Sequence, residues 1–480
     1  MAKQTNYPYI MGLKLRLYPN RKQAKILWKN LNASRFIYNQ RLAHSRTDSL
    51  IIKNKLDQQF PIPEQYWRYN KKGQVIKKST KRPTGLDRIT TKQYPWLGDE
   101  DLDSDMFTNT KVHYQNAWNM FRKVHSAGIP KFKRKDRPVQ SYSTSNHYST
   151  KTVKNNGGVF SLYNGSIKFL DGSHIQLPKV GRIKVKLHRA LPTNRLVRIA
   201  TVTIKHYATG DWTVSLLLKS NEPFHQALPK TNQTVGIDLN TDNFLTTSEA
   251  AVTANPRYYC TIKKRLAKAQ RVLSRRERRA KKEHRSLRKS RNYQKQRGLV
   301  AKIHAQVRCQ RQNFLHGRST TLIKNHDLVV AENLKSKNML RNHALAMSIS
   351  DVGWRTFLSM LEYKAPLYGR LFVEVNPAYT TQTCHDCGFV MGSADTKRLT
   401  LRDREWTCPA CHVHHIRDHN AAQNILTKGQ QWLQSGKYLT PSMANSFWGV
   451  WQLTSFAKRE LGINGLVLAR KSAFLPKLVC

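Results

Sequence analysis

The sequence predicts an α/β chain of several domains with a small metal-held insert in its last quarter. Three observations point there. In the second half, apolar strand-like runs are separated by long helical stretches: VGID at 235–238, LVVAE at 328–332 and LFVEVN at 371–376. Such alternation builds α/β domains. In the first half, short alternating strands gather between 183 and 220, as in a small antiparallel barrel or sheet. Two CxxC pairs, Cys384/Cys387 and Cys408/Cys411, follow the third late strand with twenty residues between them. A length of 480 residues suits two to four domains and a sizeable core.

From the start, GLKLRLYPN alternates through Leu13, Leu15 and Leu17 and stops at Pro19, which reads as a strand. Asn20 can cap the helix that follows, where Ile26, Leu27, Leu31, Phe36, Ile37 and Leu42 recur at helical spacing. Residues 50–105 are irregular and rich in charge, Pro and Gly. Helical character returns over 106–125, with Trp118, Met120 and Phe121. A basic passage rich in Ser, Thr and Tyr comes next and holds Thr144, Ser145 and Asn146. Then Ile183, Val185 and Leu187 alternate with lysines. Val197, Ile199, Val202 and Ile204 lead to a turn at TGD, and WTVSLLL resumes at Trp212. The character changes near Thr231.

Charge bounds the function. Lys and Arg total 83 against 29 acids, a net +54 with a pI near 10.4. Such a charge opposes compaction unless a polyanion neutralises it, and nucleic acid is the obvious one. A membrane surface is the runner-up, but no apolar run of about 18 residues and no signal peptide is visible, so a cytoplasmic location is expected. The charge peaks between Thr261 and Arg311, with 20 Lys or Arg against Glu277 and Glu283. Ile262, Leu266, Ala269 and Leu273 form one helical stripe there, and Leu299, Ile303 and Val307 another. The segment reads as a helical hairpin, either merely solvated or in contact with a polyanion through residues such as Arg275, Arg276, Arg278 and Arg279.

Seven cysteines, four of them in two CxxC pairs, argue for a metal in a reducing compartment rather than a disulfide framework. Cys384, Cys387, Cys408 and Cys411 have zinc-ribbon spacing, and four thiolates hold one tetrahedral Zn²⁺. His385, His412, His414 and His415 could compete as ligands. So small and polar an insert takes its folding energy from the metal. Its return leg delivers the chain to Asp418, in the first turn of a helix with Ala421, Ala422 and Ile425 inward.

Asp238 and Glu332 end apolar strands, and Asp418 starts a helix. Each alone reads as a cap or an exposed acid. Together, on adjacent elements, they can converge on one point, where mutual repulsion calls for cations. Mg²⁺ prefers such oxygen ligands and keeps room for water and phosphate. Two ions roughly 3.5–4 Å apart can activate water and stabilise the leaving oxygen in phosphodiester cleavage.

A strand–turn–strand opening with an acid on the first strand is the mark of ribonuclease H-like folds. GIDL, AENL and RDHNAAQNI, in this order, resemble the RuvC-type nuclease of the TnpB family, the insertion-sequence relatives of compact type V CRISPR effectors. KLRLYPNRKQ, NPRYYCTIKKRLAKAQRVLSRRERR, RQNFLHGRSTTLIKNHDLVVAENL, SISDVGWRTFLSMLEYKAPLYGR and TCHDCGF extend the resemblance over roughly Met11–Lys428, with 50–105 and the tail poorly matched. It implies that Asp238, Glu332 and Asp418 are catalytic Mg²⁺ ligands for two ions. The family often reads D-x-D before the NAA segment, and here the first place is Ile416. Pro366 falls in a helix where the family usually has none, and a kink is expected there.

The resemblance further implies a wedge barrel in two parts, 1–19 and 130–230, interrupted by a helical recognition lobe at 20–129. A RuvC-like nuclease over 231–383 then carries the basic hairpin 256–315. A zinc-ribbon insert at 384–411 serves as a target-nucleic-acid-binding domain. The nuclease resumes at 412–428, before a loosely ordered tail at 429–480. It implies a noncoding guide RNA, target double-stranded DNA with its displaced strand, and a short motif beside the target. It also implies a prokaryotic, nucleoid-associated setting. Thr144, Ser145 and Asn146 resemble the motif-reading region, and also read as a serine-rich loop. The expected function is RNA-guided DNA cleavage in a transposable element. The alternatives are a CRISPR-associated effector of the same architecture, a guided repressor without cleavage, and a DNA-strand transferase.

Overall fold

The computed structural model describes residues 7–54, 68–69, 75–77, 89, 91, 93–148, 160–192, 196–334, 343–393, 395–400 and 402–435. The expected tail thus falls outside the described residues beyond 435. Two compact units are present. One takes the described residues up to 224 with 297–301, and the other takes 225–296 and those from 302 onward. Both are mixed α/β. No helix among the described residues is long and apolar enough to cross a membrane.

The first unit opens with β1 (Tyr9–Tyr18) and α1 (Arg21–Asn54). Asn20 and Gln23 cap that helix reciprocally, each side chain accepting from the other's backbone N–H at 3.0 and 2.9 Å. A short hairpin follows, β2 (Arg68–Tyr69) with β3 (Val75–Lys77). Then come α2 (Ser104–Lys123), β4 (Val139–Ser145), β5 (Lys168–Asp171), β6 (His174–Leu177), β7 (Gly181–Lys186), β8 (Val197–Tyr207) and β9 (Trp212–Ser220). Seven strands form one antiparallel sheet in the order β4-β8-β9-β1-β7-β6-β5. The first strand of the chain therefore sits mid-sheet, with Leu13 opposite Leu216 and Leu17 opposite Val185. Leu13, Phe169, Ile175, Ile183, Ile199, Val214 and Tyr142 bring all seven strands into one core, closed by Leu27, Leu31 and Ile37 of α1 and Met106 of α2. Alternation made this legible, because period-2 strands bury one face.

The Ser/Thr run is strand rather than loop. Thr144 and Asn146 are buried, and Asn146 Oδ1 accepts from the Ile167 backbone N–H at 2.7 Å. Of the three residues expected to face nucleic acid, only Ser145 is partly exposed, and it accepts from the Asn109 amide. The run pairs along β8, where polar Thr203 answers Ser143, so polar residues line a buried sheet edge instead of a loop.

The second unit is built on β10 (Thr234–Asp238), β11 (Asn243–Thr247), β12 (Val252–Ala254), β13 (Leu328–Glu332) and β14 (Leu371–Val375). Their order is β12-β11-β10-β13-β14, antiparallel on the β12 side and parallel from β10 to β14. Helices α3 (Tyr258–Lys282) and α4 (Arg291–Asn325) form the basic hairpin. α5 (His343–Val352), α6 (Trp354–Leu367) and α7 (Arg417–Gln434) complete the helices, and β15 (Glu405–Thr407) pairs with β16 (His414–Ile416).

Two differences from the sequence reading have physical causes. α4 runs ten residues past the expected hairpin end at 315, because Leu315, Ser319, Leu322 and Ile323 pack into the core beside β13. Pro366 stands in the last turn of α6, one residue before its end, and so helps to end that helix rather than interrupt it.

Candidate active site and metal knuckle

The central strands are apolar throughout because both faces are covered. Val235, Ile237, Val329 and Ala331 pack with α4 and α6, whereas Val330, Val373 and Val375 pack with Ile425 and Leu433 of α7. Alternation then puts Gly236, Asp238, Val330 and Glu332 on the α7 face. The parallel register sets Ile237 against Ala331, so Asp238 and Glu332 end neighbouring strands side by side. α7 lies unusually close. A Cβ at Gly236 would meet the Ala422 carbonyl at 2.1 Å, and one at Gly429 would meet Val330 at 2.5 Å. That approach sets Asp418, in the first turn of α7, over the same strand ends.

All three acids have restrained surroundings. Asp238 is 7% exposed, and burial, then the charges of Glu332 and Asp418, pushes its carboxyl up to about 8. Burial also raises Glu332, although the buried Thr380 hydroxyl donates to its Oε1 and the Lys428 ammonium favours its charge. Asp418 accepts from Arg417 at 3.1 Å on one oxygen and from Asn240 at 3.1 Å on the other. Arg404, paired with Asp242, approaches the second oxygen at 3.8 Å. Among the described residues, these three carboxylates are not drawn within the 4.8 Å that groups the knuckle's ligand atoms. A carboxyl raised first by burial and then by two neighbouring acids is eased by a bound cation, which favours its charged form. This donor set fits hard divalent ions.

The sulfurs of Cys384, Cys387, Cys408 and Cys411 lie within 4.8 Å of one another, with Cys384–Cys411 and Cys387–Cys408 at 3.6 Å. A tetrahedral site with Zn–S bonds of about 2.3 Å spaces its sulfurs about 3.8 Å apart, so the set can hold zinc. Of the histidines, His415 comes near, its Nε2 3.1 Å from Cys384 Sγ and its ring 4.8 Å from Trp406. The β15–β16 pair continues to Ile416, five residues beyond the expected end of the insert at 411, and runs straight into α7.

Two residues that the sequence reading passed over join knuckle to helix. Asn420 accepts from the His385 backbone N–H at 2.9 Å and donates to the Thr383 carbonyl at 2.7 Å. Asn424, one turn on, donates to the carbonyls of Thr380 and Thr383 at 2.9 and 2.7 Å. Both are buried. Their i, i+4 spacing beside Ala421 and Ala422 was the available signal. Asn420→Ala strands a buried N–H and should cost about 1–3 kcal/mol. A denaturation midpoint equal to that of wild type would show the clamp to be idle.

On the hairpin, Arg275, Arg278 and Arg279 are exposed, and Arg279 pairs with Glu283. Arg276 instead donates to the Asn292 carbonyl at 2.7 Å and braces the two helices. Leu266, Ala269, Ile303 and Val307 are buried, whereas Leu299 is exposed.

A family profile described as "Probable transposase" matches residues 215–343, which include Asp238, Glu332 and α3–α4. One described as "Cas12f1-like, TNB domain" matches 354–425, the knuckle and Asp418. A third, "Helix-turn-helix domain", matches 10–47, where the structure has β1 and a single helix. A protein of Acanthamoeba polyphaga mimivirus named TnpB-like is 28% identical over 139 residues, 28% of this chain and 25% of its own length. Over part of its length the chain is thus similar to a protein named TnpB-like. Among other similar proteins, one of Streptomyces pristinaespiralis, provisionally named an RNA-guided DNA endonuclease, is 36% identical over 55% of this chain and 61% of its own length. InsQ of Escherichia coli, named likewise, is 28% identical over 56% and 65%. The chain thus spans less than two thirds of the length of these curated relatives. Two solved Cas12f complexes align at 13% identity with TM-scores of 0.27 and 0.30, covering 88% and 87% of this chain and nearly all of theirs, values at which no shared arrangement is inferred.

Proposed function

We propose that the chain is an RNA-guided DNA endonuclease of a transposable element, acting in the prokaryotic cytoplasm. The single observation behind this is the convergence of Asp238, Glu332 and Asp418 on one face of the second sheet. The β10–β14 sheet is read as ribonuclease H-like, of the RuvC type, and the knuckle as a zinc ribbon inserted before α7. Asp238, Glu332 and Asp418 would hold two Mg²⁺ ions, which supply an activated water and stabilise the leaving oxygen of a phosphodiester. Thr380 fixes the orientation of Glu332, while Arg417 and Asn240 fix both oxygens of Asp418. The names of the relatives support the guide and the DNA target. Incubating the protein and its copurified RNA with a plasmid bearing the guide match and the adjacent short motif should give Mg²⁺-dependent cleavage. Failure to cut would contradict the proposal.

The basic hairpin is assigned to the backbone of the guide or of its heteroduplex. Reversing the charge of Arg275, Arg278 and Arg279 should weaken RNA binding about tenfold or more and flatten its salt dependence. Arg276 is left out because it braces the hairpin. A salt slope unchanged by the reversal would return the segment to a solvated helix pair.

A further inference from the structure

Between β14 and the knuckle's far edge, Tyr379, Val390, Met391, Gly392, Ser393 and Arg398 line an open hollow of about 340 Å³. Its make-up differs from the rest of the knuckle. Tyr379 is 55% exposed, and Arg398 is exposed too. Among the described residues, neither the phenol hydroxyl nor the guanidinium has a partner. Both are nevertheless held from behind. Tyr379 takes a left-handed backbone, φ 63°, and its carbonyl accepts from the backbone N–H groups of Gln382 and Thr383 and from the Thr383 hydroxyl. The Arg398 stem lies across Gly392, where a Cβ would meet its Cγ at 2.3 Å. Gln382 joins the two sides by bonding both backbone groups of Leu399, next to Arg398, at 2.9 and 3.0 Å. An aromatic face, an apolar floor and a free cation on a fixed frame match one nucleotide, its base stacked and its phosphate paired.

The position selects which nucleotide. Tyr379 directly precedes Thr380, whose hydroxyl donates to the Glu332 carboxylate. We propose that Tyr379 and Arg398 cradle one unpaired nucleotide of the DNA strand being cut, the ring stacking on its base and the guanidinium holding its phosphate. This rests on the nuclease reading above and adds to it the residues that present the strand.

The test uses the full chain with its guide RNA and a guide-matched DNA. Tyr379→Ala and Arg398→Ala should each slow cleavage about tenfold at wild-type zinc content and guide affinity. Tyr379→Phe, which keeps the ring, should restore most of the rate, and Tyr379→Leu should not. In a Glu332→Gln background, 2-aminopurine near the cut should be quenched with Tyr379 present and bright in Tyr379→Leu. If Tyr379→Ala loses zinc, the Phe and Leu pair decides. Wild type that cuts while Tyr379→Leu cuts equally fast overturns the cradle alone. Wild type that does not cut overturns the nuclease reading, and the cradle with it.

Discussion

Replacing Asp238 with Asn or Ala should lower guided DNA cleavage by about three orders of magnitude or more, while guide binding stays within a few-fold of wild type. Asp238 sits where β10 ends, beside Glu332 and facing the start of α7, and burial, then the neighbouring acids, pushes its carboxyl up to about 8. Neither substitution therefore buries a new charge, and the fold should tolerate both. What disappears is a carboxylate oxygen proposed to hold a metal ion, beside the other two acids. Glu332→Gln and Asp418→Asn should behave alike, despite Ile416 in the place where the family often has a further acid. The three losses should not add, because the acids act as one unit. Single-turnover cleavage alongside RNA-binding titration measures both quantities. An Asp238→Ala protein that cuts at the wild-type rate would remove these acids from the chemistry.

Removing the knuckle's metal should have the second-largest effect. The insert's apolar cluster is small, Trp406 with Phe389, Met391 and Leu399 around the cysteines. Structural zinc supplies apparent binding energies of about 10–16 kcal/mol, far more than so few side chains give. The protein should carry about one zinc, and Cys384→Ser with Cys387→Ser should release it. The loop 380–385 would then lose its frame. Asn420 and Asn424 would lose the carbonyls they bind, and Thr380 its hold on Glu332. Cleavage should fall at least about tenfold, with guide binding little changed. Metal analysis that finds no zinc in folded, active protein would contradict this.

Much of the site could be read from the chain alone, and the reason is local. A strand covered on both faces is continuously apolar, so the acids ending VGID and LVVAE stand out. Thiolate spacing is equally local. What escaped the reading depends on distant partners. β1 lies between strands more than 160 residues away, which no window shows. Thr144 and Asn146 read as loop because their burial comes from β8 and the Ile167 turn. Asn420 and Asn424 look like surface residues until the knuckle's carbonyls are beside them. The end of α4 lies beyond the stripe of Leu299, Ile303 and Val307 because Leu315, Leu322 and Ile323 are buried by the distant sheet.

The central claim is that RNA directs these three acids to DNA, and retargeting tests it most directly. The protein is produced with a copurifying RNA whose guide segment has been rewritten, then given Mg²⁺ and two plasmids matching the old and the new guide. The account predicts cutting only of the newly matched plasmid, abolished by chelation and by Asp238→Ala. Cutting without regard to the RNA would contradict guided cleavage. Tight binding of the matched plasmid with no cutting in Mg²⁺ would instead make the protein a guided repressor.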